Sequence, residues 1–333
     1  MKTAFVHPPL DRIPSGGQRY NQAMLAAAAD GGVPLVSAPW VVGQPLTLAG
    51  FDAVLWDSLF VPALADIGEL LRQPARRGLL VHWLPDSNPL LNAAERQRWR
   101  QQFDAAVRPM THLLATGVGI AAALRARYPT VPVALCEPGV DDAFLRARTL
   151  RRTDVHAPGP VRLVTVAHLL PAKRQRELLE LLARIDAEWC WYLIGSRSVD
   201  AGYAAGVFDR AAALGLDDRI LHRAAAGPQQ LAAWLAEMDV FVTASAFESY
   251  GMALAEAVAM GLPAISTDVG AASELIAHGE SGWLIDLAEP ETAVAALTRL
   301  ITEPALRAQY HQAAWARPVR CWTQALAEFS RAL

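Results

Sequence analysis

The chain has 333 residues, too many for one ordinary core and comfortable for two domains of about 150 residues each. Hydrophobic residues make up 53% and charged residues 19%, which excludes a disordered chain, and a formal net charge of −3 gives no bulk case for nucleic acid as a partner. Three widely spaced cysteines, Cys136, Cys190 and Cys321, argue against a disulfide framework and against a thiolate zinc site.

Short apolar runs alternate with helical patterns along the whole sequence. In the first half the strand candidates are Lys2–His7, Val33–Ala38, Asp52–Trp56, Leu79–Trp83, His112–Thr116 and Val131–Cys136. In the second half they are Val161–Ala167, Trp189–Ile194, Arg219–His222, Val240–Thr243, Pro263–Thr267 and Trp283–Ile285. Apolar runs of this length, separated by helices, read as buried strands of a parallel sheet. Glu177–Ile185 is one separator: Leu178, Leu181, Leu182 and Ile185 fall at i, i+3, i+4 and i+7, on one helical face. Two sets of about six β/α units predict two doubly wound α/β domains, with a ligand in the interdomain cleft at the C-terminal edges of the sheets. The join is expected at Ala143–Pro160, where strand signals lapse and Pro158, Gly159 and Pro160 cluster near the basic residues Arg146, Arg148, Arg151 and Arg152. No signal-peptide pattern precedes the first strand and no run of about 18 apolar residues occurs, so a cytoplasmic location is expected.

The chemistry concentrates between Asp239 and Pro263. A buried strand leads into a short loop holding Glu248, Ser249, Tyr250 and Gly251, and an alanine-rich helix follows, beginning near Met252 and carrying Glu256. The start of a helix has unpaired N–H groups and a partial positive dipole, so it suits a diphosphate, and Gly251 lets that backbone approach closely. Gly261 is expected as the helix C-cap, with Pro263 preventing continuation. Carboxylates eight residues apart span roughly 12 Å if helical. That length suits a ligand with a hydroxyl-rich group at each end and phosphate between.

These residues resemble the retaining GT-B glycosyltransferases of family four, the group 1 type. Glu248 through Glu256 is similar to their Glu-x7-Glu element. The likeness runs on through Ala257-Val-Ala-Met-Gly261-Leu-Pro263, Thr267-Asp-Val-Gly270-Ala-Ala-Ser-Glu274 and Gly279-Glu-Ser-Gly282. The resemblance implies that Glu248 contacts donor-sugar hydroxyls, that the N–H groups after it hold sugar and phosphate, and that Glu256 binds ribose hydroxyls. Val164-Thr-Val-Ala-His168-Leu-Leu-Pro171-Ala-Lys173-Arg174 resembles the family's Gly-Arg-Leu…Pro-x-Lys-Gly segment, placing Lys173 where the phosphate-binding lysine stands. Here His168 replaces the usual arginine and Arg174 the usual glycine. A neutral imidazole makes no bidentate phosphate contact, so either Arg174 compensates or phosphate binding is weaker and more pH-sensitive. Gly195 and Ser196 close a strand that resembles one ending near the phosphates, and the strand Arg219–His222 resembles one whose following loop holds the base. In the first half, Pro14-Ser15-Gly16-Gly17-Gln18 resembles a Gly-Gly loop touching donor phosphates and acceptor, and His82 lies near an acceptor-side histidine. Glu137-Pro-Gly139-Val-Asp141 resembles a hinge-approach segment, and Trp322–Phe329 a terminal helix returning to the first domain.

The resemblance thus implies a GT-B fold with an acceptor domain over 1–155, a donor domain over 156–315 and a returning helix over 316–333. It implies sugar transfer from a nucleotide-sugar donor to a hydroxyl of a glycan, a lipid-linked glycan or a small molecule, by a hexosyltransferase-type enzyme. Lys173 would stabilise the leaving diphosphate, Glu248 would position the sugar and His82 would serve the acceptor. No cofactor and no catalytic metal are expected, since no His-Glu-x-x-His or Cys-x-x-Cys pattern occurs and Asp141-Asp142 and Asp217-Asp218 read as turn or cap pairs. An epimerase or phosphorylase of the same fold and a non-catalytic nucleotide-sugar-binding or partner protein stay open.

Two signals compete. Gly117-Val-Gly119-Ile-Ala-Ala122 fits the dinucleotide fingerprint of NAD-linked oxidoreductases, but it lies near the end of its domain rather than in the first βαβ unit. Arg96, Arg98 and Arg100, with Trp99 and Phe103, form a stretch that could make peripheral contact with an anionic membrane or could simply be a solvated helix face.

Overall fold

The computed structural model describes residues 1–9, 15–64, 74–150 and 159–333. Pro14, Arg151, Arg152 and Pro158 lie outside the described residues. The chain divides into two compact units, Met1–Gly139 with Arg320–Leu333, and Val140–Val319.

The first unit holds a six-stranded, all-parallel sheet of β1 (Thr3–His7), β2 (Leu35–Pro39), β3 (Ala53–Asp57), β4 (Arg76–Val81), β5 (His112–Ala115) and β6 (Val133–Leu135), in the order β2-β1-β3-β4-β5-β6. The inner strands are covered on both faces, which is why β1 and β3 are buried at every position. β4 begins at Arg76, three residues before the apolar run. Arg76 and Arg77 still pair with Ala53 and Val54, and the Arg77 guanidinium leaves the sheet to reach the Pro109 and Ala75 carbonyls. The order reverses between β1 and β3, so the connections leave the two strands on opposite sides there. The helix Gly16–Asp30 follows β1 directly. Its N-cap Ser15 and Gln18 form a capping box, so Gly16 and Gly17 are the first helical turn and not a free loop. The terminal helix Trp322–Ala332 packs on Gly16–Asp30, with Trp322 edge-on to Tyr20 at 5.4 Å.

The second unit holds β7 (Val161–Val166), β8 (Trp189–Ile194), β9 (Ile220–Arg223), β10 (Val240–Thr243), β11 (Ala264–Thr267) and β12 (Gly282–Ile285), all parallel, in the order β12-β11-β10-β7-β8-β9. This is the doubly wound order with its reversal between β7 and β10. The helix after β7 spans Gln175–Leu182. Its Leu178, Leu181 and Leu182 are buried against the sheet, and Ile185 reaches the same core from the turn beyond the helix end rather than from the helix itself. Asp142–Arg148, expected at the join, is a helix of this unit, N-capped by Asp141. Helix Met252–Ala259 closes with Gly261 at φ 76°, the Gly261 N–H bonded to Val258 O and the Leu262 N–H to Ala257 O, a Schellman ending in place of a cap at Gly261 itself.

Candidate functional site

In open α/β sheets, ligands bind beyond the carboxyl ends of strands at the reversal point. In the second unit those ends are β7 and β10, and the loops that follow them carry the residues singled out above. After β7 the chain runs through His168 to the 3₁₀ turn Pro171–Lys173, and after β10 through Ser245 to Glu248. The two loops are stitched together by their backbones, the Ala246 N–H donating to Ala172 O at 2.8 Å. That brings the Lys173 ammonium to 2.6 Å from Glu248 Oε1, and Ser245 Oγ donates to the same oxygen at 2.8 Å. Both side chains are about a quarter exposed, 22% for Lys173 and 27% for Glu248. They form a charged pair at an open edge, a geometry that suits a ligand carrying hydroxyls and phosphate.

The loop carrying Glu248, Ser249, Tyr250 and Gly251 rests on the segment after β11. Thr267 Oγ1 donates to Ser245 O at 2.7 Å and the Ala271 N–H to Tyr250 O at 2.8 Å. Gly270 makes this possible: a Cβ there would lie 2.5 Å from Tyr250 O and 3.0 Å from Glu248 Cβ, and its φ is +63°. Gly251, at φ 102°, is the N-cap of Met252–Ala259, so the free N–H groups of that first turn follow the Glu248 loop directly. Glu256 lies on this helix and is buried, 3% exposed.

His168 is oriented by its neighbours. The Ser196 N–H donates to His168 Nδ1 at 3.2 Å, and Gln175 Nε2 donates to His168 O at 3.0 Å. A ring nitrogen that accepts carries no proton, so this imidazole is neutral with its proton on Nε2. It can offer one donor and no fork. Gly195, just before Ser196, is buried against the Ala167 carbonyl. Arg174 follows Lys173 at φ 51° and ψ 38°, a positive-φ residue that is not glycine. A left-handed conformation costs a side-chain-bearing residue about 1–2 kcal/mol, which accounts physically for glycine being the usual residue there.

In the first unit, His82 stands immediately after β4 and is buried, 5% exposed. Gly17 lies under its ring, while Gly16 is exposed. The sequence reading missed Asp57, Asn21 and Ser58. Asp57, fully buried, is 3.5 Å from His82 Nε2, and the His82 N–H donates to Ser58 Oγ at 3.0 Å. The available signal was a carboxylate closing the apolar run of β3, which has no apolar reason to be there. Ser245 was missed as well, since a serine beyond a strand end carries no pattern of its own.

The competing signals fall elsewhere. Gly117 caps the helix Val118–Arg127 after β5, three strands from β1 in the sheet and away from the reversal point. In the helix Ala93–Val107, Phe103 is wholly buried and Trp99 packs on Trp83 at 6.0 Å, while Arg98 and Arg100 face solvent. That face is cationic, with Phe103 turned into the core and Trp99 partly covered. Among the described residues no helix is long and apolar enough to cross a membrane, and no three His, Cys, Asp or Glu side chains gather as a metal-holding group.

Residues 147–317 match the family described as Glycosyl transferases group 1. The chain is 29% identical over 243 residues to D-inositol 3-phosphate glycosyltransferase of Arthrobacter sp. (strain FB24), covering 68% of this chain and 56% of that one. It is 26% identical over 156 residues to the lipopolysaccharide core biosynthesis glycosyltransferase LpsE of Rhizobium meliloti (strain 1021), covering 47% and 44%. The chain spans about half the length of the curated relatives it matches. Among solved structures, sucrose-phosphate synthase from Thermosynechococcus elongatus superposes with a TM-score of 0.81 at 16% identity, covering 99% of this chain and 97% of that one. Anabaena HepE in complex with UDP-glucose gives 0.77 at 17% identity, covering all of both chains. At these identities the likeness speaks for the fold, which is GT-B: two Rossmann-like units, each with a parallel six-stranded sheet.

Proposed function

This chain belongs to the glycosyl transferases group 1, and we propose that it transfers a glycosyl group from a nucleoside diphosphate sugar to an acceptor hydroxyl, with retention at the anomeric carbon. The carrying observation is the Lys173–Glu248 pair at the reversal point of the second sheet. The solved complexes of HepE with UDP and with UDP-glucose support the donor class. The names of the curated relatives support transfer.

In this reading Glu248 accepts hydrogen bonds from sugar hydroxyls while its other contacts, to Lys173 and Ser245, hold it in place. The N–H groups of Ser249 to Met252, at the start of a helix, hold sugar and phosphate, and Glu256 serves the ribose. Lys173 keeps two ammonium hydrogens beyond the one given to Glu248, and these stabilise the charge that grows on the departing diphosphate. Arg174 adds a guanidinium on the same turn, and His168 Nε2–H adds one directed donor. The leaving phosphate takes the acceptor proton on the face it departs from, so no protein nucleophile and no metal are required. Gly16, Gly17 and His82 serve the acceptor and phosphate side from the first unit.

The test is a thermal-shift panel of UDP, GDP and ADP with their sugars, followed by turnover of the stabilising sugar nucleotide and NMR of the product's anomeric configuration. Stabilisation by one nucleotide diphosphate, an α-linked product from an α-linked donor and unchanged rate in EDTA are expected. Stabilisation by NAD(P) alone, a donor that is only isomerised, or an inverted product would overturn the reading.

A further inference from the structure

Helix Gly16–Asp30 builds a collar around His82. Gly17, Tyr20 and Asn21 are spaced i, i+3 and i+4, so they share one helical face. A Cβ at Gly17 would lie 3.1 Å from the imidazole Cγ and Cδ2, so the helix backbone lies directly under the ring. Tyr20 meets the ring edge-on at 5.3 Å, and its hydroxyl is anchored by donating to Cys136 O at 2.8 Å. Asn21, fully buried, joins His82 to Asp57: its Nδ2 donates to Asp57 Oδ2, and its Oδ1 is 3.0 Å from His82 Nε2. The other Asp57 oxygen accepts the Leu59 N–H at 2.7 Å.

The chain of donors and acceptors runs in one direction only. A carboxylate accepts and cannot donate, so the Asn21 amide must turn Nδ2 toward Asp57 and Oδ1 toward His82. Oδ1 in turn only accepts, so the proton of His82 sits on Nε2. Nδ1 is then the ring nitrogen able to accept a hydrogen bond, and it makes none among the described residues.

We propose that Asp57, acting through Asn21, is a positioning residue that fixes His82 as the Nε2–H tautomer, so that Nδ1 is the nitrogen that accepts a hydrogen bond from a substrate hydroxyl. The proposal deepens the reading of His82 as an acceptor-side residue and rests on it for its bearing on transfer. Its structural basis is independent of that reading. Two polar side chains buried at adjacent strand ends and a third on the helix beside them carry a cost unless every donor and acceptor is matched, and here Asp57 and Asn21 are matched toward one imidazole.

The experiment uses the full chain labelled with ¹⁵N-histidine. Long-range ¹H–¹⁵N spectra report the tautomer of each histidine, and loss of one signal in His82→Gln assigns His82. The wild-type protein is expected to show Nε2–H. In Asp57→Asn the Asn21 amide is no longer held one way, so the signal shifts toward a mixture with Nδ1–H. Release of UDP from UDP-glucose in Asp57→Asn falls on the order of tenfold or more in kcat, with the donor KM unchanged. The double variant Asn21→Asp with Asp57→Asn moves the carboxylate next to Nε2 and keeps the proton there, so it is expected to restore both the tautomer and the rate. A wild-type His82 in the Nδ1–H form overturns the proposal with no variant needed, as does an Asp57→Asn protein with an unchanged tautomer. A His82→Gln protein with the wild-type rate overturns the proposal's bearing on transfer, even where the tautomer is as stated.

Discussion

Lys173 and Glu248 are 75 residues apart in sequence and 2.6 Å apart in space, each held on the loop that leaves one of the two strands flanking the reversal of the second sheet. Partly exposed ion pairs contribute only about 0–1 kcal/mol to folding, so this one has little value as a structural fastener. Glu248→Gln and Lys173→Ala are therefore expected to leave the melting temperature within a few degrees of wild type while lowering turnover by on the order of 10²-fold. Calorimetry and nucleotide-release rates on the same preparations check this. Because the two side chains share one hydrogen bond, the double variant should lose less than the product of the single losses.

Arg174→Gly is expected to move stability and function in opposite directions. Glycine adopts φ 51° without the side-chain penalty, so the variant should gain up to about 1 kcal/mol in denaturant unfolding after the extra entropy of glycine in the unfolded chain is counted. Loss of the guanidinium should weaken nucleotide diphosphate binding by roughly tenfold. A variant that is both more stable and equally tight would remove Arg174 from the donor site.

Gly270→Ala is a test of the support beneath Glu248. The new methyl would meet Tyr250 O at 2.5 Å with φ at +63°, and neither backbone segment can yield without moving the Glu248 loop. Conformational strain alone costs about 1–2 kcal/mol. Donor affinity should fall as well, although Gly270 has no side chain to contribute. Equal affinity in a destabilised variant would separate the two loops functionally.

His112 makes stability depend on pH. Burial, with the Arg76 charge beside it, lowers its pKa to about 4 from the usual 6.5. In the folded chain the ring stays neutral down to about pH 4, whereas in the unfolded chain it protonates below about 6.5, so the unfolded state binds more protons in this window. Stability conferred by the neutral ring is full above about pH 6.5 and is lost as pH falls toward 4. The shift corresponds to an upper bound of about 3 kcal/mol, reduced to roughly 1–2 by solvent screening of a half-buried group. Urea unfolding of wild type and His112→Asn between pH 4 and 7 should show the slope flatten in the variant.

The sequence by itself determined which segments are strands. All twelve apolar runs formed parallel strands; the inner ones, such as β1, β3, β10 and β11, are buried at every position and so must be apolar nearly throughout, and that signal is local. Strand ends moved where a polar residue could escape the sheet, as at Arg76 and Arg77. The Glu248 to Glu256 run was legible for a related reason: the loop, its glycine and the helix that follows are contiguous. Tertiary structure alone decided what each side chain meets. Lys173 meets Glu248 because β7 and β10 are neighbours across a reversal that no local pattern encodes. The sequence places Gly17 in a Gly-Gly loop and Gly270 within the run of family likeness, but only the fold shows that their missing side chains make room for His82 and for the Tyr250 carbonyl. Nothing in the sequence marks Asp57 or Asn21 as partners of His82. Their joint hold on His82 exists only because β3, β4 and the first helix converge, and a hydrogen bond between residues 21, 57 and 82 leaves no trace in spacing.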